Sequence, residues 1–268
     1  MLSPDAIETL AARLRDALAT GEPCAPLRED GGPEDLGPAD AYAIQRRNIE
    51  ARLARGLDGK PTRIVGRKVG LTSRAVQQWL KVDQPDFGTL LADMEVPDGG
   101  IAPITRLLQP RVEGEIAFVL GESLEGPGIT ARDVLQATAF LLPAIEIIDS
   151  RIADWRITFE DTVADNASSG LFVLGTTPVH PEEIPDLRLV GCALRKNGRV
   201  VSTGAGVACL DHPAHAVAWL ANALATFDTP LQPGDVILSG ALGPVTDVEP
   251  GDDVRVDIGR LGSVRVRF

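Results

Sequence analysis

Apolar and polar positions change rhythm once along this chain, near residue 60. Before that point apolar residues recur every three to four positions. Ile7, Leu10, Ala11, Leu14 and Leu18 form one stripe, and Ser3-Pro4 ahead of them offers a capping hydroxyl and a proline suited to the first helical turn. A second stripe, Tyr42, Ile49 and Leu53, predicts a helix from about Pro38 to Arg55 that Gly56 stops. The run GEPCAPLREDGGPEDLG between them reads as a loop. Residues 1–60 are therefore expected to form an N-terminal helical region, and residues 61–268 a second unit of different build.

From Thr62 onward the runs are short and β-like: TRIVGRKVG, RVEGEIAFVL, AIEIID, GLFVLG, LVGCALRKNGRVV, DVILSG, DDVRVDI and SVRVRF. Asn197-Gly198 between two alternating runs predicts a tight hairpin. Helices are expected near Thr130–Phe140 and Pro213–Phe227. Strands and helices do not alternate regularly, which disfavours a doubly wound sheet. The pattern predicts an α+β protein, a mixed β-roll or barrel with helices at its N-terminal end.

Composition narrows the partners. Of 268 residues, 44% are hydrophobic but only 4% aromatic, so aliphatic side chains must fill the core. No apolar run is long enough to span a membrane, and the N-terminus reads as an amphipathic helix, which points to a cytoplasmic protein. A net charge of −12 disfavours nucleic acid and favours cations or small molecules. Cys24, Cys192 and Cys209 are odd in number and far apart, so buried thiols are expected rather than disulfides or a zinc cluster.

The chemistry concentrates in QPRVEGEIAF. Glu113 and Glu115 lie two apart and share a strand face with Ala117 and Val119, while Val112, Gly114, Ile116 and Phe118 make the other face apolar too. A solvent-facing strand stays open as the bland alternative. Glu146, in LLPAIEIIDS, is a third carboxylate in an apolar run. Three such glutamates would form a hard, oxygen-rich site suited to Mg²⁺ or Mn²⁺ rather than zinc. His212 and His215, around Pro213-Ala214, read as a helix start. In GRKVGLTS, Lys68 is either an exposed edge lysine or a cation facing an anionic substrate, and Gly66 and Gly70 would admit a close neighbour. Asp83 and Asp86 flank a proline and fit a turn. FEDTVADNASSG is a polar run, a surface loop or a pocket lining. Nicotinamide, P-loop and serine-hydrolase motifs are lacking.

Taken together, GRKVGLTSRAVQQWLKVDQPDFGTLLADM, QPRVEGEIAFVL, LPAIEIIDSRIADW, DTVADNASSG and ILSGALGPV closely resemble the 2-keto-4-pentenoate (2-hydroxypenta-2,4-dienoate) hydratases of the fumarylacetoacetate hydrolase superfamily. The resemblance spans nearly the whole chain. It implies the β-roll of that superfamily, a homo-oligomer, and Mg²⁺ or Mn²⁺ held by Glu113, Glu115 and Glu146. It implies catalytic roles for Lys68 and, less directly, Asp86 and Ser168. The implied reaction is hydration of a small anionic 2-hydroxydienoate in meta-cleavage degradation of aromatic compounds. Kindred readings are a 4-oxalocrotonate decarboxylase, or a 2-oxohept-4-ene-1,7-dioate hydratase using Arg67, Arg74 or Arg151 for the far carboxylate. A non-catalytic assembly partner of a pathway decarboxylase is the reading from a different class.

Overall fold

The computed structural model describes residues 1–56 and 59–268. Helix α1 (Pro4–Thr20) starts where Ser3 accepts a hydrogen bond from the Ala6 amide and ends at Gly21, whose φ of 76° suits glycine. Its buried stripe is Leu10, Ala11, Leu14 and Ala17; Leu18, expected inside, is exposed, and the smaller Ala17 takes the packed position. Helix α2 (Pro38–Arg55) buries Ala41, Ile44 and Gln45. These two helices close a small core with Ile152, Phe159, Val163 and Ala164 from much later in the chain. Gln45 strengthens the join: its Nε2 donates to the carbonyls of Phe87 and Val163.

The remaining elements follow in order: β1 (Ile64–Gly70), α3 (Arg74–Leu80), β2 (Asp86–Leu91), β3 (Glu95–Val96), β4 (Arg111–Leu120), α4 (Ala131–Ala137), β5 (Thr138–Ile148), α5 (Phe159–Ala164), β6 (Ser169–Leu174), β7 (Gly191–Lys196), β8 (Arg199–Ala205), α6 (Pro213–Leu224), β9 (Val236–Leu238), β10 (Thr246–Asp247), β11 (Asp253–Ile258) and β12 (Gly262–Arg267). An eight-stranded mixed sheet runs β2-β1-β9-β4-β5-β6-β3, with β10 pairing β4. A four-stranded antiparallel sheet runs β12-β11-β7-β8. The α+β class and the β-roll reading hold.

Two local expectations are corrected. The helix expected over Thr130–Phe140 stops at Ala137, because β-branched Thr138 and the residues after it join the β5 ladder opposite β4. FEDTVADNASSG is not one loop: α5, capped by Thr158, occupies its first half, and a tight left-handed turn follows. The Asn197-Gly198 hairpin is present, both residues having positive φ.

Strands β4 and β5 are covered on both faces. One face of β4, with Val112, Gly114 and Ile116, meets the four-stranded sheet; a Cβ on Gly114 would come within 2.7 Å of Cys192 Sγ and 2.9 Å of Val256. Glycine at 114 therefore lets the two sheets close while the glutamates on either side point the other way. The thiols are unpaired, Cys192 and Cys209 buried as expected and Cys24 partly exposed.

Candidate functional site

Strand register assembles the acidic cluster. Glu113 of β4 stands directly opposite Glu146 of β5, and Glu115 lies two residues on along the same face. One carboxylate oxygen from each of the three falls within 4.8 Å of the others. Glu115 and Glu146 are fully buried and Glu113 is partly so. Lys68 reaches the cluster from β1. It pairs across the sheet with Leu238 of β9, which pairs in turn with Ala117 of β4, so all three side chains share the face of the glutamates.

Bonding within the cluster is incomplete. Lys68 Nζ lies 3.1 Å from Glu146 Oε1, at ion-pair distance but without hydrogen-bond alignment, and donates to the Ala167 carbonyl at 2.7 Å. Glu115 Oε2 accepts from the Gly240 amide at 2.7 Å. Glu115 Oε1 and both Glu146 carboxylate oxygens are buried with no hydrogen-bond partner among the described residues. Unsatisfied buried carboxylate oxygens are costly and call for a cation.

The electrostatics agree. Burial, and then the Glu146 charge, push Glu113 up to about 7, with Lys68 partly opposing. Burial and the neighbouring Glu146 and Glu113 raise Glu115 well above the usual carboxylate range. Burial alone would push Lys68 down; Glu146, Asp86, Glu113 and Glu115 outweigh it and hold the ammonium above its ordinary value.

Asp86, the first residue of β2, stands opposite Gly70 of β1. A Cβ on Gly70 would lie 2.2 Å from Asp86 Oδ1 and 3.4 Å from Lys68 Nζ, so this glycine makes room for the carboxylate. Gly66 serves another purpose: a Cβ there would strike the Val236 carbonyl of β9 at 1.8 Å. Burial raises Asp86 to about 6, with Lys68 and a Thr162 hydrogen bond pulling the other way.

Ser168 arrives through a strained turn. Asn166, Ala167 and Ser168 have φ of 56°, 53° and 53°, a left-handed run that Asn tolerates but that costs the alanine and the serine about 1–2 kcal/mol each. The Asn166 side chain holds it in place, accepting from the Thr89 amide at 2.7 Å and donating to the Thr89 carbonyl at 2.9 Å. The turn aims the Ala167 carbonyl at Lys68 and places Ser168 Oγ 3.2 Å from Thr162 Oγ1. Lys68, Asp86, Ser168 and the three glutamates thus form one neighbourhood. The sequence pattern did not single out Thr162 or the Gly240 amide, and it held Asn166 only as one member of a polar run that could line a pocket. A polar run with Asn tolerant of positive φ hinted at Asn166; a backbone amide leaves no sequence signal.

The three arginines considered for a second substrate carboxylate are placed otherwise. Arg151 is buried and committed to Asp165 and the Ser169 carbonyl. Arg67 alternates with Lys68 and so faces away from it, its Nη1 donating to the Gly66 carbonyl. Arg74 is exposed and paired with Asp211 at 2.7 Å. His212 and His215 mark a helix start as expected; His212 Nδ1 accepts from the Ala214 amide at the head of α6.

Residues 64–268 match the family model for the fumarylacetoacetate (FAA) hydrolase C-terminal region. Over 267 residues the chain is 51% identical to a 2-keto-4-pentenoate hydratase of Paraburkholderia xenovorans (strain LB400), covering 100% of this chain and 96% of that one. It is 49% identical over 270 residues to the 2-keto-4-pentenoate hydratase of Burkholderia vietnamiensis, covering 100% and 99%. A solved 4-oxalocrotonate decarboxylase from Pseudomonas putida G7, complexed with magnesium and adipate, superimposes with a TM-score of 0.93 at 36% identity, covering 100% of this chain and 99% of that one.

Proposed function

Because this chain belongs to the fumarylacetoacetate hydrolase family, we propose that it is a divalent-cation-dependent hydratase. It converts 2-hydroxypenta-2,4-dienoate, the enol of 2-keto-4-pentenoate, to 4-hydroxy-2-oxopentanoate. The observation that carries the substrate is full-length identity of 51% to a hydratase of that name, against 36% to the decarboxylase. The placement of Arg67, Arg74 and Arg151 supports a monocarboxylate over a dioate.

The residues fit a cation. Three clustered carboxylates, two of them (Glu115 and Glu146) with buried oxygens that have no hydrogen-bond partner among the described residues, and no sulfur or imidazole among them, are a donor set for Mg²⁺ or Mn²⁺, with Glu113, Glu115 and Glu146 holding it. A bound divalent cation supplies Lewis-acid stabilisation of negative charge on the substrate's carboxylate and 2-oxygen. Lys68, fixed by the Ala167 carbonyl, offsets part of the carboxylate charge and offers an ammonium to the anionic substrate. Ketonisation moves the 2-hydroxyl proton to C5 and leaves a C3–C4 double bond. The water oxygen then bonds to C4 as that π pair moves toward the 2-oxygen; one water proton leaves, and an equivalent proton is returned to C3. Asp86 and Ser168 position that water and carry its proton.

The same reading carries a homo-oligomer, association with a pathway decarboxylase and a cytoplasmic location. Among the described residues no helix is long and apolar enough to cross a membrane. The test is to add freshly generated dienoate to metal-stripped protein, with and without Mg²⁺, and identify the product by NMR. Mg²⁺-dependent 4-hydroxy-2-oxopentanoate is expected. No product in either condition would overturn the proposal.

A further inference from the structure

Thr162 is a buried hydroxyl at the heart of this neighbourhood to which the reaction above gives no role. It sits on α5, 3% exposed. Its Oγ1 donates to Asp86 Oδ2 at 3.2 Å and stands 3.2 Å from Ser168 Oγ. A threonine hydroxyl has one proton and two lone pairs. An ionised carboxylate only accepts, so the Thr162 proton is spent on Asp86. The contact with Ser168 can then be a hydrogen bond only if Ser168 donates. The chain therefore has a direction, Ser168 to Thr162 to Asp86.

Direction has consequences at both ends. At one end Asp86 Oδ2 is tied, while Oδ1 is buried without a partner among the described residues and stands in the space that Gly70 leaves open beside Lys68. At the other end the Ser168 proton points at Thr162, which leaves the Ser168 lone pairs as the part of that hydroxyl able to meet water. We propose that Thr162 is a positioning residue: it selects Oδ1 as the oxygen of Asp86 that accepts the water proton and returns it to C3, and it makes Ser168 a hydrogen-bond acceptor toward the attacking water. The inference rests on the hydratase reading for the identity of the water and of C3; the hydrogen-bond chain itself does not.

Thr162→Val keeps the shape of the side chain and removes the hydroxyl; Thr162→Ala serves if valine is not accommodated. In the Mg²⁺-loaded full-length protein, Thr162→Val should lower kcat at least about 10-fold with KM within about 2-fold. Thr162→Ser should recover most of the loss. The double variant with Ser168→Ala should be no slower than the slower single, because both break one chain. A loss under about 3-fold, a serine variant as slow as valine, or losses that multiply in the double variant would overturn the proposal. An activity-independent readout separates it from the assigned reaction. In protein labelled with ¹³C at the aspartate carboxyl, the Asp86 signal, identified by its disappearance in Asp86→Asn, should move in Thr162→Val and return in Thr162→Ser. A signal that stays put overturns the proposal even in an active hydratase. A wild-type protein that fails to hydrate the dienoate overturns the assigned reaction and the water-handling role built on it, while a signal that moves still upholds Thr162 as the group that holds Asp86.

Discussion

Carboxylates spaced along a strand meet opposite fates in the two sheets. On β11, Asp253 bonds Arg265 across the ladder, and Asp257 bonds Arg195 at 3.1 Å and Arg255 at 2.8 Å. All of these side chains are at least a third exposed, and each acid has a guanidinium. On β4 and β5, Glu113, Glu115 and Glu146 cluster where, among the described residues, the one ion pair is that of Lys68 with Glu146, and Glu115 and Glu146 are fully buried. Surface pairs of the first kind form readily and contribute little. Clustered buried acids of the second kind destabilise the fold unless something outside the chain offsets them. The contrast teaches that pairing and burial, not the presence of acids on a strand, separate a candidate cation ligand from a solvated carboxylate.

The largest expected effect tests the buried set. Glu115→Gln keeps an acceptor for the Gly240 amide but deletes one charge. Mg²⁺ affinity, read by calorimetry, should fall at least about 100-fold, and turnover with it. The melting temperature of the metal-free variant should stay level or rise, since a repelled buried charge is gone. Undiminished Mg²⁺ affinity would remove Glu115 from the ligand set.

Lys68→Met comes next. Turnover should drop by about 10²–10⁴-fold. Mg²⁺ affinity should be unchanged or tighter, because the lost group is a cation beside the carboxylates. A collapse of Mg²⁺ affinity would instead mean that Lys68 mainly holds Glu146 in place.

A third effect separates the sheets by pH. Glu113 is raised from 4.5 to about 7, and Asp86 from 3.8 to about 6. Asp165, raised by burial against the pull of Arg151, also reaches about 6. Across this window the folded chain keeps protons that the unfolded chain releases. Stability of the metal-free protein is therefore greatest below about pH 4 as far as these groups decide, and falls as pH rises toward 7. Between pH 5 and 7.5 its melting temperature should drop by about 3 °C or more. Mg²⁺, which binds the ionised carboxylates, should flatten or reverse that slope. A metal-free protein whose stability rises across the window would show that the cluster is not strained by its own charge.

How far the sequence revealed this follows from the same contrast. Glu113, Glu115 and Glu146 stood out because a two-residue period places acids on a face whose other members are apolar, and strand pairing then brings them together. Lys68 was legible as a cation in a strand, not as one aimed at Glu146, because that needs the β1-β9-β4 order, a long-range pairing. The NG hairpin and the first helix were readable locally, while Leu18 and Ala17 exchanged places because periodicity sets a stripe and packing chooses its edge. Thr162 lay in a polar run whose helix is only six residues long, too short to leave a period. The Ala167 carbonyl and Gly240 amide act through backbone atoms, to which side-chain patterns are blind.

The smallest effect comes from the other half of the comparison. Asp257→Asn removes the acid shared by Arg195 and Arg255, side chains directly opposite each other on neighbouring strands. Arg265 stands next in the same row, with Asp253 as its own partner. Two arginines then face each other uncompensated, which is unfavourable, but both heads reach solvent and screening is strong. The melting temperature should fall by no more than about 2 °C, and less at high salt, with Mg²⁺ affinity and turnover unchanged. A loss that persists at high salt would place the β11 acids in a buried network. A loss of Mg²⁺ affinity would couple the two sheets electrically, and the distinction between paired and unpaired carboxylates would no longer tell which of them serve the reaction.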